Sequence, residues 1–206
     1  MNGINATDLI WYLLVILVSL SIHEMMHAYT AFKLGDTTAQ EDGRISLNPL
    51  VHIDPFMTIV LPFLTLISFG VPVLAAKPVP FNPDRVKYDD FGAAMIAAAG
   101  PVTNLALAAV AGILMHVFIS NPSILHVLDI FLSLNVALFV FNMIPIPPLD
   151  GSRVLYAFAP DSVRAFMEQI EQFGIFLIFG LVLFFQPFVN LLVTLNESIR
   201  SFLLRL

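Results

Sequence analysis

The amino-acid sequence predicts an all-α polytopic membrane protein, and three observations predict it. Of its 206 residues, 58% are hydrophobic and 12% charged, and mean hydropathy is +0.89, far from the composition of a soluble globular domain. Four apolar runs, residues 9–32, 91–119, 124–144 and 173–192, are each long enough as helix, at about 1.5 Å per residue, to cross about 30 Å of hydrocarbon. All nine Lys and Arg residues lie outside these runs, seven of them in the segments between, where loop charge sets the orientation of membrane helices. One intramembrane domain over residues 1–206 accommodates all of this.

The first run, residues 9–32, has no helix breaker, and Gly35 ends it. It lacks a basic segment ahead of the apolar stretch and is expected to be retained rather than removed as a signal peptide. Gly43, Pro49 and Pro55 then interrupt any helical stripe, so a loop with a short β hairpin or strand around Arg44–Leu47 fits residues 36–57. Residues 58–76 contain only about a dozen continuous apolar positions and hold Pro62 and Pro72, which suits a re-entrant or interfacial element better than a full span. A Pro-rich polar loop follows over residues 77–90.

Residues 91–119 are rich in Ala and Gly, which let membrane helices approach closely, and Pro101 should bend this span. These small residues are read as packing positions. Asn121-Pro122 is a tight turn, and residues 124–144 cross back until Pro145, Pro147 and Pro148 forbid further helix. Residues 152–172 are more polar, residues 173–192 form the last span with Pro187 near its end, and the tail to Leu206 reads as an amphipathic interfacial helix.

If residues 58–76 do not cross, Lys33, Arg44, Lys77, Arg85, Lys87, Arg153 and Arg164 all fall on one side. Basic loops mark the cytoplasmic side, so four full spans with the N-terminus outside are expected in the cell membrane. The formal charge of −6 and the lack of a Lys/Arg cluster argue against a nucleic-acid partner. The expected partner on this reading is the lipid bilayer.

The chemistry concentrates in His23-Glu24-Met25-Met26-His27. Histidines four apart lie on one helix face, where both imidazoles can reach one metal ion, with a glutamate beside the first. Such groups inside a span are costly unless paired, metal-bound or facing water. With no cysteine in the chain, a zinc ion must take histidine and carboxylate ligands, and a catalytic zinc takes three of them and keeps a fourth position open. Asp150 is the best third candidate, because it is the acidic residue of a proline-broken, otherwise apolar stretch that can fold back into the bundle. Glu24 is then left as general base toward the attacking water and as proton donor to the departing amine.

Four motifs in order, HEMMHAY from residue 23, GRISLNPLVHIDP, AAAGPVTN and FNMIPIPPLDG ending at residue 151, resemble the site-2 protease family of intramembrane zinc metalloproteases in its small bacterial and archaeal branch. The resemblance implies one Zn2+ per chain held by His23, His27 and Asp150, with Glu24 as catalytic base. It also implies cleavage of transmembrane segments of regulatory membrane proteins near the cytoplasmic face. No inserted PDZ-like domain and no CBS pair are expected, so substrate selection is expected to rest on the core, the 33–90 loops or a partner.

Asn104, Asn135 and Asn142 have two readings: they hold the unwound substrate backbone or the developing oxyanion, or they hydrogen-bond across the bundle. His52, beside Asp54 in a polar loop, is read as structural, and His116 and His126 as interfacial. Two rival functions use the same ligands: a membrane metal carrier or sensor, and a proteolytically inactive homologue that binds transmembrane segments.

Overall fold

The computed structural model describes residues 6–54, 77 and 79–205, over which the chain is mostly helical. Helix α1, Ala6–Lys33, is 28 residues long. Its residues Val15, Ser19, His23, His27 and Ala31 are buried and stand four apart, so they line one face. Leu9 to Leu14, Leu17 and Val18 are exposed, a continuous apolar surface suited to lipid. Helix α2, Thr38–Glu41, is a single turn.

Residues 44–48 form no strand, and no strand occurs among the described residues, so the expected β hairpin gives way to an irregular loop. Its polar groups have other partners: the buried Arg44 guanidinium donates to the Val51 carbonyl at 2.6 Å, and His52 Nε2–H donates to the Ser46 carbonyl at 2.8 Å. Asn48 and Asn82 each cap a 3-10 turn, Pro49–Val51 and Pro83–Arg85, by accepting from the backbone two residues on. The region expected to be re-entrant, residues 58–76, lies outside the described residues.

Asp36 ties this loop layer together. Fully buried, its carboxylate accepts from Thr38 N and Oγ1 at 3.0 and 2.6 Å and from Asn82 N at 2.6 Å. Burial pushes its pKa up, but these hydrogen bonds and the Arg85 charge outweigh burial and hold it below the usual 3.8. Its contribution to stability is therefore complete above about pH 3.8 and is lost as pH falls through its lowered folded value. Asp36→Asn is expected to lower stability by about 1–2 kcal/mol near neutral pH. The gap in melting temperature between wild type and variant should narrow below pH 4, and a pH-independent gap would refute this.

Helix α3, Asp89–Val117, contains Pro101 and buries Gly92, Ala94, Ala97, Gly100, Asn104, Ala108, Ala111 and Gly112. This small-residue stripe lets α3 lie centrally against α1 and against α4, Pro122–Asn142. The Asn121-Pro122 turn forms as expected, with the Asn121 side chain capping α4 at Ile124 N. Ala108, Ala111, Leu132, Val136 and Val140 form the apolar core between α3 and α4.

Beyond Asn142 the structure departs from the predicted last span. Residues 150–203 form four helices: α5 Asp150–Phe158, α6 Asp161–Glu171, α7 Gly174–Phe184 and α8 Gln186–Leu203. The predicted span 173–192 breaks at Phe185, because Pro187 lacks an N–H and is tolerated only in the first turn of α8. At 11 residues, α7 is about 16 Å long and too short to cross alone. It meets α6 at an 83° bend. The tail is not peripheral: α8 lies along α4, with Arg200 paired to Asp129 at 2.5 Å and Leu203 buried in the core. Three described helices, α1, α3 and α4, are long and apolar enough to cross a membrane, or four if α6 and α7 make one bent span.

The bundle has two chemically different ends. At one, His126 pairs with Asp8 at 2.7 Å, joining the starts of α4 and α1. At the other, Lys87 N donates to the Leu34 carbonyl and Arg164 pairs with Asp90 at 2.6 Å. The second end gathers the end of α1, the start of α3 and α6. His23 is ten residues from Lys33, placing it about 15 Å from the basic end.

Candidate metal centre

The site begins with α1. Its unbroken helix puts His23 and His27 one turn apart on the face packed against α3, and both are buried, at 3% and 7% exposure. Each ring is fixed from behind: His27 Nδ1–H donates to the Ile96 carbonyl at 2.7 Å, and His23 Nδ1 meets Asn104 Oδ1 at 2.5 Å. Their Nε2 atoms converge to 3.0 Å.

Asp150 arrives from the far side of the fold. The Pro145–Leu149 turn reverses the chain after α4 so tightly that a Cβ on Gly151 would stand 2.3 Å from the Met143 carbonyl oxygen. This close approach requires glycine there. It delivers Asp150, at the first position of α5, with Oδ2 3.3 Å from His23 Nε2 and 3.4 Å from His27 Nε2. The carboxylate is turned to the imidazoles.

These three donors fit zinc. A tetrahedral ion with ligands at about 2.0 Å holds its ligand atoms about 3.3 Å apart, and the observed edges are 3.0, 3.3 and 3.4 Å. They are the one group of three or more such side chains close enough to hold an ion among the described residues. Gly100 makes room for it: a Cβ there would lie 2.4 Å from His27 Nε2 and 2.7 Å from His23 Nε2. The stripe of small residues thus does more than pack helices, because at position 100 it keeps the mouth of the donor set open.

Glu24, between the two histidines in sequence, is 9% exposed and within electrostatic reach of His23, His27, Asp150 and His52. Asn104 and Asn135 are both fully buried and joined to each other at 2.8 Å behind His23. Asn142 stands apart, half-buried, its Nδ2 donating to the Leu138 carbonyl. His116 also bonds within its own helix, to Gly112 O. Gly100 and Ser19 escaped the sequence reading. The AAAGPVTN motif contained the signal for Gly100, since it puts Gly100 one helical turn before Asn104.

A bundle of apolar helices enclosing two histidines and an aspartate as convergent donors defines a multi-pass membrane protein with a candidate metal centre. Comparison with known proteins gives the family. The model of peptidase family M50 matches residues 118–185. YwhC of Bacillus subtilis is 39% identical over 186 residues, 86% of this chain and 81% of YwhC. Rip2 of Mycobacterium tuberculosis is 32% identical over 179 residues, 84% of this chain and 66% of Rip2. MJ0611 of Methanocaldococcus jannaschii is 37% identical over 134 residues, 65% of this chain and 62% of MJ0611. All three carry the words zinc metalloprotease in their names. No solved structure gives a significant match. The chain belongs to peptidase family M50, the site-2 protease family, whose metal is zinc.

Proposed function

We propose that this chain is an intramembrane zinc endopeptidase that hydrolyses peptide bonds within transmembrane segments of other membrane proteins. The observation that carries the reading is the convergence of His23, His27 and Asp150 to 3.0–3.4 Å inside a bundle of apolar helices. In this reading the three residues hold the zinc ion. Bound zinc supplies a Lewis acid that polarises the scissile carbonyl and lowers the pKa of water to about 7.

The chain's own groups do the rest. Glu24 takes a proton from the attacking water and returns it to the departing amine, a role that needs a carboxylate near the donors but outside the ligand set. Asn142, half-buried eight residues before Asp150, is the asparagine assigned to the unwound substrate backbone, whose freed amides need partners at membrane depth. Asn104 and Asn135 have no exposed surface with which to meet substrate.

The test is cleavage of a designed transmembrane substrate by the purified protein in detergent or liposomes. Removing zinc with a chelator is expected to lower cleavage to background, and adding zinc back to restore it. Cleavage that survives zinc removal would sink the reading. The same proposal sets the site nearer the cytoplasmic face, because Lys33, Arg85, Lys87 and Arg164 lie at the end of the bundle closer to His23. A cysteine introduced at Lys77 is then expected to label only from the cytoplasmic side and one at Ser123 only from the outside, and the reverse pattern would refute the orientation.

A further inference from the structure

We infer that Asn104 and Asn135 form a polarised relay that fixes His23 as the Nδ1–H tautomer, so that its Nε2 lone pair is presented to the metal. The inference rests on the proposed zinc site and adds two positioning residues to it. The Phe131 carbonyl can only accept, and it has two lone pairs, one for its own helix bond and one for a side chain. Asn135 lies 2.9 Å from it, so the atom facing it must be the amide nitrogen. That nitrogen also reaches Ser19 Oγ at 2.9 Å.

With its nitrogen so committed, Asn135 turns its oxygen to Asn104. An amide oxygen needs a donor, so Asn104 presents its nitrogen, at 2.8 Å. Asn104 then has only its oxygen left for His23, and the 2.5 Å contact requires a proton on Nδ1. Each orientation follows from the one before, back to a backbone carbonyl of α4. Ser19, Asn104 and Asn135 are all at 0% exposure, so water cannot substitute for any member. His27 reaches the same tautomer directly, through the Ile96 carbonyl, whereas His23 depends on three elements, α1, α3 and α4, being in register. Outer partners that orient a ligating histidine in this way commonly set metal affinity by about 10–100-fold.

The experiment measures the zinc dissociation constant of the purified full-length protein at fixed pH, by competition with a chelator of known affinity, alongside the melting temperature of the metal-free form. Asn104→Leu and Asn135→Leu are expected to bind zinc about 10–100-fold more weakly in protein that remains folded at the assay temperature. Asn104→Asp, neutral at this depth, can donate its O–H to Asn135 Oδ1 and still offer its other oxygen to Nδ1–H with Asn135 unmoved, so this variant is expected to stay within about threefold of wild type. A structural role alone would move the melting temperature and leave zinc affinity in place. If Asn104→Leu does not fold, Asn135→Leu removes the anchor without touching His23 and carries the same test. Wild-type zinc affinity in the leucine variants, with zinc lost in His23→Ala, would overturn the relay and leave the metal centre standing. Zinc retained by His23→Ala would overturn the metal centre and the relay with it.

Discussion

Glu24→Gln is expected to reduce cleavage of a transmembrane substrate by about 10²–10⁴-fold, the usual worth of a positioned acid/base group, while the protein retains its full zinc content. The substitution preserves shape and polarity and removes only the capacity to accept a proton. Glu24 contributes none of the donor atoms in the triangle formed by His23, His27 and Asp150, so replacing it leaves all three candidate donors, the Asn104 and Ile96 contacts and the Gly100 opening in place. The residue is 9% exposed in a helix otherwise suited to lipid, and a buried carboxylate without a task is costly there. A metal carrier or sensor built on the same donors has no use for this carboxylate and would handle zinc equally well without it. Zinc measured by atomic absorption, together with cleavage in the same preparations, separates the readings. Unchanged cleavage in the variant would eliminate the protease mechanism, and no cleavage even by wild type would favour the silent homologue.

The parts of the fold that could be read from the sequence are those whose cause is local. An uninterrupted apolar run fixes α1, and the four-residue spacing within it makes His23 and His27 neighbours whatever the rest of the chain does. Asn121-Pro122 carries its own cap and starts α4 where expected. Asp150 was legible as a candidate because prolines isolate it, although its 3.3 and 3.4 Å approaches depend on a tertiary turn. The misreadings came where local pattern and tertiary partners disagree. Arg44-Ile45-Ser46-Leu47 alternates like a strand, yet its polar groups are taken by Val51 and His52 rather than by a ladder. Residues 173–192 are apolar enough to span, but Pro187 opens a new helix that packs on α4 through Arg200 and Leu203. The relay behind His23 joins residues 81, 31 and 116 apart in sequence, and no spacing rule connects them.

Gly100→Ala, the addition of one methyl group, is expected to weaken zinc binding at least about 100-fold and to reduce cleavage to background in a protein that remains folded. Position 100 lies in the interior of α3, where alanine favours helix over glycine by about 1 kcal/mol, so the backbone has no reason to object. The methyl group has nowhere to go: it would stand 2.4 Å from His27 Nε2 and 2.7 Å from both Cε1 and Nε2 of His23. Neither imidazole can yield without leaving its partner, because His27 is held by Ile96 and His23 by Asn104. Relieving the overlap therefore moves the donor atoms by about an ångström, a displacement that can cost about 10²-fold when geometry governs the chemistry. Gly180→Ala is the matched control, since a Cβ at that position in α7 meets nothing within 4 Å. Zinc competition, cleavage and melting temperature, measured on both variants, check the result. A Gly100→Ala protein that binds zinc and cleaves like wild type would show that the ion does not sit where these three donors converge.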